Sequence, residues 1–515
     1  MDSLFPVVFN LYFTILLYIF LVLLFITVLY IYLSNPFRKL TIVRSVFSSA
    51  LIGNTLFLFK NGRIHVNNGP LWRGFSWVKA GGHILKNALF PAPGANGKTV
   101  QEIIRSIHTL RFDPDKPYLI SGDHFSMFYP RNLGIFYFCL LDPRTALDYE
   151  DWVIREKKCL QSVAYALETF SQAGDCSTTI VPTGRHQVTM INVFAYPSDT
   201  LYGILHALYT MKTPEFFFKN YPFEAQKHYP LHTSDASEDM LQTYSISLKQ
   251  LYARYRRTVY DKKTGLIRTG LKLSSHLDTK IRSSAFYDNV VFWRTSWLAN
   301  KLGIVELDAA WLRELKKRIV DTFWFEEGGY FLDDLSEETL RDRRYASDWV
   351  IILTTGFLNP LRKAETAYFE RTVAYVRKMR LDEPFPLKVL GSPVKQKDHF
   401  WVRTFVSNYQ DSAIWSNLGQ QYIKILTLLY AATGNGAYLH DAGTAIAAYR
   451  RNMLRYRGYP EVYDCHGNML QNRFYRSIRQ TSWVVDFEHS MALYDAYAVS
   501  MQGKVHRFLE KPLRT

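Results

Sequence analysis

Residues 411–432 read DSAIWSNLGQQYIKILTLLYAA, a segment in which apolar or small side chains cover nearly every side of a helix. A helix that is apolar all round is buried on every side, whereas an amphipathic helix keeps one face in water. Residues 149–172 are of the second kind, because they mix apolar residues such as Trp152 and Leu167 with charged ones such as Lys157. The two patterns predict an inner layer of buried helices and an outer layer with one solvated face.

The two patterns alternate from Thr99 onward. About twelve helical segments are predicted, near residues 99–110, 132–141, 149–172, 197–212, 238–257, 284–302, 307–324, 345–356, 362–379, 411–432, 437–454 and 480–501. Such a recurrence of one helical pair after another is expected of a repeat architecture.

Most of the buried helices begin with an aromatic residue next to a polar or acidic one. The pairs are Tyr129 with Asn132, Tyr196 with Asp199, Tyr287 with Asp288, Tyr345 with Asp348, Tyr409 with Asp411, and Thr481 with Trp483. Asp is also an ordinary N-cap, but a cap requires neither an aromatic neighbour nor a buried helix behind it. We therefore expect six inner helices to present these residues at one mouth.

A second stretch suggests what the mouth binds. Residues 459–483 read YPEVYDCHGNMLQNRFYRSIRQTSW and combine an acid, Glu461, with aromatic residues and arginines. Aromatic faces stack on sugar rings, and a carboxylate can transfer a proton during glycoside hydrolysis. This composition predicts a carbohydrate substrate, with Glu461 as one of two catalytic carboxyls, and we expect the barrel to hold it opposite Asp288.

Cofactors are not indicated by the sequence. The four cysteines have no CxxC spacing, the 14 histidines contain no HExxH motif, and no glycine-rich phosphate loop is present. We expect neither a metal nor a nucleotide cofactor.

The charge of the chain is uneven. Its net charge is +16, and there is no Asp or Glu between Ser3 and Gln101. Leu4 to Leu33 carries no charge and is long enough to cross a bilayer. An anionic membrane therefore explains the basic segment beside it better than nucleic acid does. Basic residues such as Arg38 follow the span, which predicts a single-pass protein with its large domain on the cytoplasmic side.

Three regions follow from these patterns. Residues 1–36 are the predicted transmembrane anchor, and residues 37–98 form a basic juxtamembrane connector. Asn61 and Gly62 indicate a short hairpin in the connector, and glycines from Gly81 onward indicate a loop. Residues 99–515 form the catalytic domain.

Six helical hairpins with polar inner-helix starts resemble the six-hairpin glycosidases, whose fold is the (α/α)6 barrel. These include trehalase, the processing glucosidases, neutral invertase and glucoamylase-like enzymes. The resemblance covers residues 100–505 and implies an all-α fold, an (α/α)6 barrel preceded here by one N-terminal transmembrane helix.

The resemblance also implies roles for individual residues. PEVYDCHG, the basic residues after it and RQTSW are similar to the neutral invertase pattern, in which Glu461 would be the general base, with Tyr463 and Asp464 shaping its loop. RSSAFYDNVVFWR, residues 282–294, is similar to the general-acid segment of trehalases, with Asp288 at the acid position and Arg282 in place of a glutamate. Asp199 in YPSDT is the reserve acid.

Other matched positions imply sugar binding. Tyr129 to Asn132 is similar to the Trp-Pro-Arg-Asp of glucoamylase-like enzymes, with Asn132 in place of Asp and Asp123 as the candidate for the missing carboxylate. Residues 409–415, YQDSAIW, are similar to another helix start of those enzymes. The predicted binding residues are Tyr129, Arg131, Asn132, Asp123, Tyr196, Asp199, Tyr287, Asp348, Tyr409, Asp411, Trp415, Tyr463 and Trp483.

The expected function is therefore a membrane-anchored, inverting glycoside hydrolase acting on a small or terminal α-linked glycan. Two carboxyls of an inverting pair lie about 6.5–9.5 Å apart. One alternative is a catalytically silent barrel that binds a glycan or a glycolipid at the membrane. Another is a lyase or epimerase, for which Tyr129 or His124 could be the base.

Overall fold

The computed structural model describes residues 64–122, 127–142, 144–146, 148–184, 186–213, 234–277, 279–390, 400–406 and 408–509. Helices make up most of it. They are α1 (Pro70–Leu89), α2 (Val100–Arg111), α3 (Asn132–Ile135), α4 (Tyr149–Ala173), α5 (Thr200–Lys212), α6 (Ser234–Thr243), α7 (Ser245–Val259), α8 (Phe286–Lys301), α9 (Ala309–Phe323), α10 (Glu337–Asp342), α11 (Ile351–Thr354), α12 (Lys363–Lys378), α13 (Phe400–Phe405), α14 (Ser416–Thr433), α15 (Gly436–Tyr456) and α16 (Val484–Leu509). Two 3₁₀ turns, Tyr137–Leu141 and Ser347–Val350, follow α3 and precede α11.

Strands are short. They are β1 (His65–Val66), β2 (Thr179–Pro182), β3 (Gln187–Ile191), β4 (Tyr196–Pro197), β5 (Tyr260–Asp261), β6 (Leu266–Ile267), β7 (Leu273–Ser274), β8 (Trp324–Phe325), β9 (Tyr330–Phe331), β10 (Ile414–Trp415) and β11 (Val462–Tyr463). β2 and β3 pair antiparallel, β1 pairs parallel with β3, and the remaining strands form two-stranded pairs.

The inner helices form a closed ring. α3 contacts α5, α5 contacts α8, α8 contacts α11, α11 contacts α14, α14 contacts α16, and α16 returns to the turn at Tyr137–Leu141. The outer helices α2, α4, α7, α9, α12 and α15 surround this ring, and α9 and α15, for example, pack on α8 and α14. The predicted (α/α)6 architecture and its two layers are confirmed.

Burial explains the ring. Every residue of α14 from Ser416 to Leu429 is buried, whereas α9 buries only four positions spaced along one face. Small residues allow the inner elements to approach closely, since a Cβ at Gly203 in α5 would lie 2.6 Å from the carbonyl oxygen of Pro130. The inner helices are thus apolar all round because other elements pack against them on all sides.

Three predicted inner helices begin later than their periodicity indicated. α5 begins at Thr200, α14 at Ser416 and α16 at Val484. The residues just before α5 and α14 are in strands instead, because β4 pairs with β7 and β10 pairs with β11. These pairings are between distant parts of the chain, so helical periodicity could not indicate them. The predicted helix 238–257 is likewise two helices, α6 and α7.

The connector differs from the prediction. Gly81 and Gly82 lie within α1 and not in a loop. Glycine disfavours helix, but tertiary contacts hold α1, since Lys79 Nζ donates to the Pro182 carbonyl at 2.8 Å and Asn87 Nδ2 to that of Arg476 at 3.1 Å.

Two other predictions for this end of the chain concern residues that are not described. The hairpin turn at Asn61 and the span at residues 4–33 lie outside the described residues. Within the described part of the chain, no helix is both long and apolar enough to cross a membrane.

Candidate active site at the mouth of the barrel

The starts of α5 and α8 are joined by hydrogen bonds. Ser198 Oγ donates to Asp288 Oδ1 at 2.7 Å, and the Tyr287 hydroxyl donates to Asp199 Oδ2 at 3.1 Å. Asp199 and Asp288 are both buried. The structure therefore brings together two of the predicted inner-helix starts, with both candidate acids in one polar cluster.

Arg282 extends this cluster to the next inner element. Its guanidinium donates to Asp348 Oδ2 at 2.6 Å, to Asp333 Oδ1 at 3.3 Å and to Ser275 Oγ at 2.8 Å. In the resemblance to trehalases, Arg282 stands in place of a glutamate. It is here a buried cation whose charge balances several carboxyls. Burial of such a charge is tolerated only when the charge is paired and hydrogen-bonded.

The environment of Asp288 favours a proton on its carboxyl. Burial raises the pKa of Asp288 above its ordinary value, while the charge of Arg282 and hydrogen bonds from Ser198 and Ser275 oppose the rise. A raised pKa is the direction of shift that a general acid requires.

Glu461 lies at the start of α14. Its N–H donates to the Ile478 carbonyl at 2.8 Å, and its carbonyl accepts from Ser416 N and Oγ, both at 3.0 Å. The residue is 7% exposed. Burial and the nearby charge of Glu461 both raise the pKa of Tyr475, which places the carboxylate near this phenol.

An aromatic band joins the two sides of the mouth. His276 stacks on Tyr287 with ring centroids 5.6 Å apart and meets the edge of Trp415 at 6.0 Å. Trp415 in turn lies 5.9 Å from Trp483, and Trp483 lies 4.5 Å from Phe136. The band therefore runs from α8 past the starts of α14 and α16 to α3, and all five of its side chains are buried.

His276 is neutral. Burial, with the charges of Arg131 and Arg282, lowers its pKa to about 3. The side chain of Asn417 hydrogen-bonds to its Nε2. A pKa this low makes the imidazole a weak base at neutral pH, and this residue was not predicted from the sequence.

Several other predicted residues lie around the mouth. Arg131 Nη1 donates to the Ser275 carbonyl at 2.6 Å. Asn132 hydrogen-bonds to the Tyr137 hydroxyl, which also shares a 2.5 Å bond with Ser482.

The remaining predicted residues are held by neighbours of their own. Asp411 pairs with Lys280 at 2.5 Å, and the Tyr409 carbonyl accepts from Trp415 Nε1 at 2.7 Å. Tyr196 stacks on Tyr255, and Tyr129 packs against a small apolar cluster that includes Met127. Their binding roles remain predictions.

One predicted residue that the structure describes, Tyr463, is not part of this cluster. Tyr463 is fully buried in the core, with Phe385 at 5.0 Å and Tyr449 at 6.2 Å between ring centroids. The ring of Tyr463 in β11 packs with these core side chains and does not line the mouth. Asp123 and His124 lie outside the described residues.

One group of side chains in the core has the composition of a metal site. Ligand atoms of Cys139, Asp486 and His489 lie within 4.8 Å of one another. The ammonium of Lys424 pairs with Asp486 and lies 3.8 Å from Cys139 Sγ, however. The lysine supplies the positive charge here, so the arrangement fits a buried ion pair better than a metal.

The residues of this cluster that the sequence did not reveal are Ser275, His276 and Asn417. Ser275 and His276 lie just after β7, in a loop with no periodic pattern. The parallel pairing of β7 with β4 brings this loop to Asp288. No local sequence signal marks the pairing of β4 with β7, since it joins residues about eighty positions apart.

Comparisons with known proteins agree with this architecture. No protein-family model and no curated protein sequence matches the chain. Among solved structures, cellobiose 2-epimerase from Spirochaeta thermophila is similar with a TM-score of 0.50 and 10% identity, over 84% of this chain and 100% of that one.

Two glycoside hydrolase structures are also similar. GH63 mannosylglycerate hydrolase from Thermus thermophilus, in complex with glucose, has a TM-score of 0.45 and 11% identity over 76% of this chain and 99% of that one. A rhamnosidase from Klebsiella oxytoca with rhamnose bound has a TM-score of 0.43 and 14% identity over 80% of this chain. The match covers 66% of the rhamnosidase, slightly less than two thirds of its length. The ring of inner and outer helices and the similarity to the epimerase agree with the (α/α)6 barrel that the sequence resemblance implied.

Proposed function

We propose that the protein is a carbohydrate-processing enzyme, and specifically an inverting glycoside hydrolase with Asp288 as general acid and Glu461 as general base. The observation that carries this proposal is a buried carboxyl with a raised pKa at the mouth of the barrel, Asp288. Acids of inverting glycosidases protonate the leaving oxygen while a second carboxylate activates water on the other face of the sugar.

The surroundings of Asp288 suit this role. Ser198 fixes the carboxyl by its hydrogen bond, and Arg282 keeps the neighbouring Asp348 paired. The proton of Asp288 is then available to a leaving group instead of being shared with a second acid.

Glu461 is the proposed base because it lies at the start of another inner helix of the same ring. Its backbone bonds to Ser416 and Ile478 hold it there. The aromatic band of Tyr287, Trp415 and Trp483 would provide the floor for the sugar. The separation of about 6.5–9.5 Å that an inverting pair needs is part of the proposal.

The substrate class and the location are proposed with it. A small or terminal α-linked glycan suits a mouth framed by single residues from several helices, and the uncharged run at residues 4–33 would anchor the enzyme in a membrane.

The proposal is tested with Asp288→Asn and Glu461→Gln on a panel of aryl and disaccharide α-glycosides. Because general acid or base catalysis contributes about 10²–10⁴-fold, each variant should lose at least about 100-fold in kcat with unchanged melting temperature. Asp464→Asn is the matched control, since the Asp464 carboxylate accepts hydrogen bonds from the backbone N–H groups of His466 and Asn468 within an exposed turn. Near-normal turnover by either catalytic variant would exclude the assignment, and NMR of the first-formed anomer tests inversion.

A second candidate function is sugar epimerisation or isomerisation, which the structural similarity to a cellobiose 2-epimerase supports, with His276 in the aromatic band as the candidate base. A base next to a bound sugar could remove a proton from carbon. Incubating sugars in D₂O distinguishes the two functions. An epimerase or isomerase incorporates deuterium at carbon, and His276→Ala should abolish this incorporation. A hydrolase incorporates no deuterium at carbon. Tight sugar binding without any product would instead indicate a silent binding barrel.

A further inference from the structure

Helix α1 presents its apolar side to solvent. At about 100° per residue, Leu71, Phe75 and Val78 fall on one side of the helix, and they are 76%, 54% and 64% exposed. The side packed on the protein is small and polar, with Ser76 and Asn87 buried. This reverses the usual pattern of a surface helix, in which the apolar side is buried.

The exposed surface is larger than a single side chain. Trp72 and Trp77 flank the apolar side at 36% and 44% exposure, and Leu89 and Phe90 continue it at 40% and 51%. Contiguous exposed apolar surface of this kind marks an interaction site.

The charge of α1 itself is positive. Arg73 and Lys86 are exposed on α1, and α1 itself contains no acidic residue. The sequence on both sides of α1 also lacks acidic residues, since no Asp or Glu occurs between Ser3 and Gln101. A partner for this surface must therefore be apolar within and negatively charged at its edge.

Helix α1 is held firmly to the loops that form the mouth. Asn87 Nδ2 donates to the Arg476 carbonyl at 3.1 Å, and Gln480 Nε2 donates to the Pro93 carbonyl at 2.6 Å, just beyond the helix. Ala80 packs with Met127 and Val181. Whatever binds α1 thus lies beside the loops before α3 and α16.

We infer that the outer side of α1 binds the surface of an anionic lipid bilayer and lies in the plane of that surface. Helices that lie in a membrane interface carry Trp, Phe and Leu on one side with Lys and Arg beside them. They enter the headgroup region by about 5–10 Å. Lysine is depleted from protein–protein interfaces, so a protein partner or a second copy fits less well. The uncharged span predicted at residues 4–33 would keep α1 close to the bilayer.

The inference is tested on the full chain in vesicles of phosphatidylcholine and phosphatidylserine, using a bimane label on Phe75→Cys in a Cys465→Ser background. The matched control is Ile246→Cys on α7, where Ile246 is 71% exposed. Brominated acyl chains should remove most of the bimane emission at position 75 and none at position 246. Replacing phosphatidylserine by phosphatidylcholine should reduce the loss at position 75.

Equal emission at the two positions in brominated vesicles would overturn the inference. So would efficient thiol cross-linking of two chains through position 75 without quenching, which would identify a second copy as the partner. The measurement needs no turnover, so Asp288→Asn should leave the quenching unchanged, and failure of the proposed hydrolase function would not affect the result.

Discussion

Replacing Lys424 with methionine is expected to destabilise the protein by about 3–4 kcal/mol at pH 7. Lys424 lies in α14, 3% exposed, and its ammonium pairs with Asp486 of α16. Gln421 Nε2 also donates to both carboxylate oxygens of Asp486, at 3.1 and 2.9 Å. The substitution keeps the length and apolar stem of the side chain but leaves Asp486 without its cation.

The size of the effect follows from what the carboxyl can do. A buried carboxylate that stays charged without a partner costs about 3–5 kcal/mol. Protonating it instead costs about 4 kcal/mol at pH 7, because an ordinary Asp has a pKa of about 3.9 and each unit corresponds to about 1.4 kcal/mol. Burial already raises the pKa of Asp486, and Lys424 opposes this, so the variant takes up the proton.

The variant should therefore become relatively more stable in acid. Its folded state binds one more proton than its unfolded state, so its stability increases as pH falls. The deficit relative to the wild type should shrink by about 1.4 kcal/mol for each pH unit between pH 7 and pH 5.

Equilibrium urea unfolding of the full chain in detergent, followed by tryptophan fluorescence at pH 7 and pH 5, measures both quantities. Lys317→Met is the matched control, since the side chains of Lys317 and Asp321 are 70% and 57% exposed and their ion pair contributes little. The double variant Lys424→Met/Asp486→Leu should recover most of the lost stability because it removes the carboxyl. A deficit no larger than that of Lys317→Met, or one that does not change with pH, would refute the reasoning.

Three further predictions concern the mouth. Gly203→Ala should lower the free energy of unfolding by about 1–3 kcal/mol, since its Cβ would meet the Pro130 carbonyl; urea unfolding measures this. Arg282→Met should cost about 3–5 kcal/mol at pH 7 and less at pH 5 in the same unfolding assay, because it strands the buried Asp348. Ser198→Ala should raise the pKa of Asp288 by removing a hydrogen bond that favours the ionised form, so the alkaline limb of the proposed hydrolase activity moves to higher pH; a limb that stays in place would contradict this.

The helices could be predicted because burial on one face or on all faces leaves a mark at every third or fourth residue. Helix α12 is an example, since residues 362–379 were expected and the helix covers Lys363–Lys378. The ends were less accurate where a strand intervenes, as before α14. β10 pairs with β11 some fifty residues away, and no feature of residues 411–415 indicates that partner.

The mouth was predicted in part. Asp199, Asp288, Trp415 and Trp483 were identified as inner-helix starts, and the structure gathers them at one end of the ring. His276 was missed because a histidine in a loop has no pattern to distinguish it. α1 was missed because two adjacent glycines favour a loop locally, whereas contacts with distant backbone stabilise the helix.

The sequence by itself determined that most of the chain from Thr99 onward is helical, the alternation of the two layers and the residues near the inner-helix starts, since each depends on neighbours within one or two turns. Only the tertiary structure decided which polar groups meet: Arg282 with Asp348, Lys424 with Asp486, and His276 with Asn417. The protonation of a buried group depends on the loss of water and on charges within a few ångströms, and these neighbours are contributed by segments 60 or more residues away along the chain.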